Sequence, residues 1–269
     1  MQPLVDLDWW RRRAARVVLA DVRWYLDGRS GREAYERGHL PGAVFVDLDR
    51  WLAGTATPED GRHPLPDPEV FAEGMAATGI GDGDTVVAYD DDRGVVAARL
   101  VWMLRVTGHE AALLDGGLTA YEGPLETGWA RRSPAVFTPR PWPPDRLASM
   151  DDAADRANVV VDARNRDRYS GEHEPVDPRA GHIPGARSLP CRENVDELGR
   201  LLPVTELRER FRAAGITDDV SAVSYCGSGV TACHTLLALE HAGLRPGRLY
   251  AGSWSQYSSR PDRPVATGG

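Results

Sequence analysis

The sequence has few cysteines and no long apolar run. Its three cysteines, Cys191, Cys226 and Cys233, are odd in number and lack the spacing of a disulfide framework, so a reducing compartment is expected. No segment approaches the roughly 20 apolar residues of a membrane helix. The stretch "MQPLVDLDWWRRR" at the start lacks the apolar core of a signal peptide. We therefore predict a cytoplasmic protein with no membrane partner.

An excess of positive charge is also missing. The chain has 32 Lys and Arg against 40 Asp and Glu, which gives a net charge of -8. This negative net charge argues against a general nucleic-acid-binding protein, because such proteins carry an excess of positive charge that contacts the phosphates. The 269 residues, 42% of them hydrophobic, suffice for the core of one large or two modest globular domains.

The chain repeats itself once. "GHLPGA" at 38–43 recurs as "GHIPGA" at 181–186, and "TVVAYDDDRGVVAARL" at 85–100 aligns with "SAVSYCGSGVTACHTL" at 221–236. Two further blocks recur in the same order at a nearly constant offset. A period of this length indicates two homologous domains rather than a solenoid.

A Pro- and Arg-rich stretch without periodicity separates the two halves and is typical of an extended connector. We therefore predict a first domain at residues 1–125, a connector at 126–148 and a second domain at 149–269.

Both halves alternate short β-branched runs with helical segments. "VVLADV" and "NVVVDA" are typical of buried strands, whereas "PVTELRERFRAAG" is typical of a helix that ends at a glycine. Alternation of this kind predicts an α/β fold, in which each domain has a mostly parallel sheet flanked by helices on both faces.

The turn "CGSGV" at 226–230 follows a predicted strand and precedes a predicted helix. Such a turn directs several main-chain N–H groups into one concavity at the positive end of the helix dipole. Gly227 and Gly229 permit positive φ and close approach of a bound group. A thiol at Cys226 would be held as a nucleophilic thiolate in this field.

Free cysteines are most often small buried hydrophobes, and we interpret Cys233, inside the predicted helix, in that way. Cys191 follows a proline in a predicted loop, and we interpret it as incidental to the chemistry. Cys226 differs because two glycines follow it at a helix start. The first half has Asp90 at the aligned position, which is not a sulfur nucleophile. The first domain is therefore predicted to be non-catalytic.

Several other cysteine or glycine chemistries are disfavoured. Position 232 is Ala, whereas a cysteine phosphatase needs an Arg six residues after its Cys. There is no C-x-x-C redox motif and no Gly-Lys-Ser/Thr of a Walker loop. Cys226, Cys233 and His234 do not form a known zinc ligand set, so no metal is expected.

At this point the chain resembles the tandem-domain rhodanese family, whose first domain is inactive and whose second is catalytic. The resemblance extends from about residue 16 to 257 and includes "DARNRDRYSGEHEPVDPRAGHIPGA", "CGSGVTAC" and "GSW". "CGSGVTAC" is similar to the loop of 3-mercaptopyruvate sulfurtransferases, whereas thiosulfate sulfurtransferases usually have two cations inside the loop. 3-Mercaptopyruvate has one carboxylate and a ketone, which main-chain amides and the hydroxyl of Ser228 can bind. We therefore expect 3-mercaptopyruvate to be the sulfur donor.

The resemblance implies a persulfide on Cys226 and no cofactor. It also implies substrate binding by the reactive loop and by two arginines before "GHIPGA": Gly227, Ser228, Gly229, Val230, Thr231, Arg168 and Arg179. Cyanide, a small thiol or reduced thioredoxin would then accept the sulfur. His39 and His182 occur in both halves, although only one half has the cysteine, so we expect them to be architectural.

Three alternatives remain open from the sequence. The first is a thiosulfate:cyanide sulfurtransferase that uses the same chemistry. The second is a carrier module that receives a persulfide from a partner protein. The third, a regulatory domain without catalysis, is disfavoured because Cys226 is present.

Overall fold

Each half of the repeat forms its own sheet in the structure, a computed structural model that describes all 269 residues. The chain divides into two compact units. Unit 1 comprises Met1–Gly54, Leu65–Trp142 and Asp196–Leu201, and unit 2 comprises Thr55–Pro64, Pro143–Val195 and Leu202–Gly269. The domain limits predicted from the sequence are continuous, whereas each unit includes a short segment from the other half of the chain.

Unit 1 has five parallel strands in the order β1-β5-β4-β2-β3. The strands are β1 (Leu4–Val5), β2 (Val17–Asp21), β3 (Val44–Phe45), β4 (Thr85–Tyr89) and β5 (Ala111–Leu114). The α-helices are α1 (Leu7–Arg11), α2 (Gly31–Arg37), α3 (Pro68–Ala77) and α4 (Ala97–Val106). A 3-10 turn lies at Ala14–Arg16 and a π-helical turn at Leu48–Leu52.

Unit 2 has four parallel strands in the order β7-β6-β8-β9. The strands are β6 (Val159–Asp162), β7 (Arg187–Ser188), β8 (Ala222–Tyr225) and β9 (Arg248–Leu249). The α-helices are α5 (Met150–Ala154), α6 (Arg166–Ser170), α7 (Val204–Ala213), α8 (Ala232–His241) and α9 (Ser253–Ser258). Two 3-10 turns lie at Pro144–Arg146 and Cys191–Asn194.

The predicted α/β fold with parallel sheets flanked by helices is confirmed. The glycines after the long helices end them as expected, since Gly108 and Gly243 adopt φ of +83° and +69° after α4 and α8. None of the helices combines the length and the apolar character that a bilayer-spanning helix requires.

The core of unit 2 fixes the place of the reactive turn. All four residues of β8 are buried, and Val223 and Tyr225 pack in one cluster with Ile183 and Trp254. Most of α8 is buried as well. Because strand and helix are both held by the core, the turn between Tyr225 and Ala232 has a defined position at the carboxyl edge of the sheet, where α/β folds place ligands.

Candidate active site

The loop from Cys226 to Thr231 is held in position by hydrogen bonds to the "GSW" turn at residues 252–254 and to Ser255. The Oγ of Ser253 accepts a hydrogen bond from the Cys226 amide at 3.1 Å and donates to the Tyr250 carbonyl at 2.8 Å. The amide of Trp254 donates to the Cys226 carbonyl at 3.0 Å. The amide of Ser255 donates to the Gly227 carbonyl at 2.9 Å. These bonds use the loop's first two carbonyls and, among its amides, that of Cys226.

The sulfur of Cys226 lies inside this loop. The Gly229 amide donates to Sγ at 3.1 Å, and the residue is only 2% exposed. An N–H donor aimed at sulfur stabilises a negative charge on that sulfur. The predicted loop residues Gly227, Ser228, Val230 and Thr231 have main-chain amides without an acceptor in the protein. The loop can therefore donate further hydrogen bonds to an anion beside Sγ.

The equivalent loop of unit 1 contains its own anion. Asp90, aligned with Cys226, is buried, and its carboxylate accepts 2.7–2.8 Å bonds from four main-chain amides: Asp92, Gly94, Val96 and Ala97. Burial raises the pKa of Asp90 to about 6, although the amides oppose this shift. The turn of this fold thus gathers amides around one negative group, and in unit 1 the protein supplies that group itself.

The two loop glycines are required for different reasons. Gly229 adopts φ of +78°, and a Cβ there would lie 2.4 Å from the Ala251 carbonyl oxygen. Gly227 does not adopt positive φ, so that part of the expectation is wrong. A Cβ on Gly227 would instead lie 2.9 Å from Nη2 of Arg62 and 3.3 Å from Nη1 of Arg168. Its lack of a side chain lets two guanidinium groups approach the loop.

A histidine that the sequence did not single out lies beside the loop. Nδ1 of His63 is 2.7 Å from Oγ of Ser228, and both residues are buried. His63 belongs to Thr55–Pro64, the segment of the N-terminal half that folds with unit 2. The Arg62 amide fixes this segment by donating to Oγ of Ser255 at 3.0 Å. Ser228 can therefore exchange a proton with an imidazole.

Arg168 lies at the loop as predicted, but its neighbour is Arg62 rather than Arg179. Arg168 donates to Glu174 at 2.6 Å and to Asp177 at 2.9 Å. Arg62 also contacts Asp177 through Nη1. Burial raises the pKa of Asp177 above its ordinary value, against the opposing effect of Arg62.

Arg179 is not brought to the loop, which corrects the expectation that it flanks the substrate. Its guanidinium donates to four main-chain carbonyls around the end of α9, at 2.6–3.0 Å: Tyr257, Ser258, Arg260 and Arg263. These four acceptors use all three nitrogens of the side chain. Arg179 therefore fastens the C-terminal segment, and Arg62 takes the place beside Arg168.

The two repeated histidines are architectural, as expected. Nδ1 of His39 lies 2.9 Å from the carbonyl of Tyr35, and the two rings stack with centroids 4.0 Å apart. His182 repeats this arrangement with Tyr169, at 2.8 Å and 3.7 Å. Neither histidine contacts the reactive loop.

The remaining cysteines are buried. Cys191 and Cys233 are both fully buried, and Sγ of Cys233 donates to the Gly229 carbonyl at 3.4 Å. No group of three or more His, Cys, Asp or Glu side chains is arranged to hold a metal ion.

Comparison with known proteins assigns the family. The Rhodanese-like domain family matches residues 8–123 and 144–260. The chain belongs to the rhodanese family. A probable 3-mercaptopyruvate sulfurtransferase of Pseudomonas aeruginosa is 42% identical over 94% of this chain and 93% of its own. A putative thiosulfate sulfurtransferase, SseB of Mycobacterium tuberculosis, is 38% identical over 94% of this chain and 91% of its own.

A solved structure agrees with this assignment. The rhodanese fold of SseA, a 3-mercaptopyruvate sulfotransferase from Escherichia coli, superposes with a TM-score of 0.83 at 31% identity. It covers 94% of this chain and 99% of that protein. The expected tandem rhodanese family is thus confirmed, and it is a family of sulfur-transferring enzymes.

Proposed function

We propose that this chain is a sulfurtransferase that takes a sulfur atom from 3-mercaptopyruvate, holds it as a Cys226 persulfide and passes it to a thiophilic acceptor. The observation that carries the proposal is the 3.1 Å bond from the Gly229 amide to Sγ, inside a loop in which four further amides lack an acceptor in the protein. A thiolate and a terminal persulfide sulfur are both anions that such a loop stabilises.

The first half-reaction conserves atoms and electrons. The Cys226 thiolate attacks the donor sulfur, the carbon–sulfur bond breaks, and its electron pair leaves as the enolate of pyruvate. The new bond joins Sγ to the transferred sulfur. The enolate carbon then takes a proton, which the Ser228 hydroxyl can deliver because His63 can replace it. Cyanide, a small thiol or reduced thioredoxin removes the outer sulfur in the second half-reaction.

Binding of the donor uses the cations beside Gly227. Arg168 presents Nη1 to this side of the loop, and Arg62 presents Nη2. Two guanidinium groups can share the oxygens of one carboxylate. Ser228 and the free amides remain for the ketone and the sulfur. We propose the cytoplasm as the location, since the three cysteines are free.

Thiosulfate is the second candidate donor. It is supported by the same two arginines, which provide cations near a loop that has none of its own. The 38% identical relative is also named a putative thiosulfate sulfurtransferase. A transfer from thiosulfate would release sulfite instead of pyruvate.

Intact-protein mass spectrometry tests the proposal. Incubation with 3-mercaptopyruvate is expected to add one sulfur atom to the wild type and none to Cys226→Ser, and cyanide is expected to remove it. Parallel incubation with thiosulfate compares the donors at equal concentration. Faster loading of Cys226 from thiosulfate than from 3-mercaptopyruvate would show that thiosulfate is the preferred donor. Loading only from a protein persulfide would indicate a carrier module instead.

A further inference from the structure

Asp177 joins the two arginines that flank Gly227. Its carboxylate is 2% exposed and accepts from Nη1 of Arg62 and, at 2.9 Å, from Nη2 of Arg168. Each guanidinium thus directs one nitrogen to Asp177 and another to the loop. The loop-facing nitrogens, Nη2 of Arg62 and Nη1 of Arg168, have no acceptor in the protein and can bind a ligand.

The positive charges of Arg62 and Arg168 are balanced by the charged side chains behind them. Glu174 lies between Arg168 and Arg164, with contacts of 2.6 Å and 3.2 Å, and Arg164 contacts Asp162 at 2.6 Å. Asp162, Arg164, Glu174, Arg168, Asp177 and Arg62 therefore form one alternating series of three carboxylates and three arginines. All but Arg62 and Arg168 are nearly inaccessible to solvent. The series brings no excess positive charge to the loop.

Removing one carboxylate from this series would change its charge where solvent screens it little. A buried or partly buried charge acts more strongly on a neighbouring ion than a surface charge does. Among the carboxylates of the series, Asp177 is the one that contacts both arginines at the loop. The charge of Asp177 therefore sets the net charge of the series, and with it the ligand charge that the two arginines bind best.

We propose that Asp177 is a specificity-determining residue, which lets Arg62 and Arg168 hold a donor with one negative charge and disfavours a dianion. The identity of the favoured donor rests on the proposed function. The carboxylate of 3-mercaptopyruvate has one charge and two oxygens for the two loop-facing nitrogens. Thiosulfate brings two negative charges to a series whose own charges sum to zero, so its complex has one more unbalanced negative charge than the complex of a monoanion.

Binding of two inert anions tests the charge argument without turnover. Pyruvate is a monoanion, sulfate is a dianion, and calorimetric titration measures both. In Asp177→Asn we expect the affinity for sulfate to rise at least about ten-fold relative to that for pyruvate. The matched control is Asp167→Asn, which removes the same charge from an exposed residue next to Arg168 and should shift the ratio less than about two-fold.

Two further variants separate charge from shape. Arg62→Gln alone removes a cation, so it should lower sulfate affinity more than pyruvate affinity. If Asp177→Asn does not fold, Arg62→Gln still tests the charge argument, because it should change the ratio of sulfate to pyruvate affinity in the opposite direction. The double variant, Asp177→Asn with Arg62→Gln, restores the charge balance and should return the ratio toward the wild-type value. An unchanged ratio in folded Asp177→Asn, or an equal shift in Asp167→Asn, overturns the proposal. If Asp177→Asn does not fold, an unchanged ratio in Arg62→Gln overturns it.

Donor kinetics then separate this inference from the proposed function. If Asp177→Asn gains kcat/KM with thiosulfate relative to 3-mercaptopyruvate, the charge of Asp177 also selects the donor. If anion binding shifts as expected while 3-mercaptopyruvate never loads Cys226, the proposed function fails and the role of Asp177 stands. If 3-mercaptopyruvate loads Cys226 and the anion preference never shifts, the proposed function stands and the role of Asp177 fails.

Discussion

Nδ1 of His63 lies 2.7 Å from Oγ of Ser228, although the two residues are 165 positions apart in the chain. The histidine comes from the N-terminal half and the serine from the loop that contains the reactive cysteine, yet both belong to unit 2. A buried hydroxyl that contacts an imidazole in this way has a route for its proton.

We expect Ser228→Ala and His63→Gln each to slow pyruvate formation from 3-mercaptopyruvate about 10- to 100-fold, because the enolate loses its proton donor. The double variant should lose little more than either single variant, since the two residues act as a unit. Single-turnover kinetics measure this step. His173→Gln, at an exposed histidine of the same unit, is the control. Additive losses in the double variant would show that the two residues act separately.

Arg168→Gln and Arg179→Gln are expected to have different effects. Arg168 faces the loop, so its loss should raise KM for 3-mercaptopyruvate about ten-fold or more. Arg179 bonds four main-chain carbonyls, so its loss should lower the unfolding free energy by on the order of 3 kcal/mol with little change in KM. Steady-state kinetics and denaturant unfolding measure the two effects. A large KM effect of Arg179→Gln would return Arg179 to the substrate site.

The loop requires glycine at position 229. Gly229→Ala should lower the unfolding free energy by more than the roughly 1–2 kcal/mol of a left-handed alanine, because its Cβ also meets the Ala251 carbonyl. Gly243→Ala, at the other end of α8, is the matched control. Its φ is +69°, but the nearest atom to its Cβ is 4.0 Å away. Equal losses in denaturant unfolding would exclude the contact with Ala251 as the cause.

The carboxylate of Asp90 makes the stability of the protein depend on pH. Its pKa is about 6 in the folded protein against 3.8 as the ordinary value, so the folded state binds this proton more tightly than the unfolded state. Stability from this group is fully present below pH 3.8 and is lost as pH rises through about 6. Relative to Asp90→Asn, the wild type should therefore lose on the order of 3 kcal/mol over this interval.

Denaturant unfolding of the wild type and of Asp90→Asn, at about pH 4 and about pH 7, measures that difference. The comparison cancels the contributions of the other titrating groups, which both proteins share. A difference between the two proteins that does not change with pH would mean that Asp90 has the same pKa in both states.

The repeat was sufficient to predict the architecture. Two halves with matching strand and helix patterns can only form two similar sheets, and the turn after β8 had to lie at the carboxyl edge of one of them. The architectural role of His39 and His182 follows from the same comparison of the halves, because both halves have the histidine and only one has the cysteine. The tyrosines on which they stack are seen only in the structure.

Arg62, His63 and Asp177 could not be found in this way. The first two act from a segment that is remote in sequence and has no periodicity, and only the folded chain brings it to Ser228 and Gly227. The place of Arg179 before "GHIPGA" predicts a role in substrate binding. The carbonyls that bind it come from residues 257–263, and no sequence pattern indicates that they converge.

The exchange of short segments makes each half of the chain depend on the other half for its unit. Thr55–Pro64 folds with unit 2, where Arg62 lies beside Gly227 and His63 beside Ser228. Asp196–Leu201 folds with unit 1, where a Cβ on Gly199 would lie 3.3 Å from Cα of Arg93. Neither half therefore contains every residue of its own unit, and the loop with Cys226 depends on the N-terminal half for a histidine and an arginine. The C-terminal half expressed alone would keep the thiol and lack both side chains.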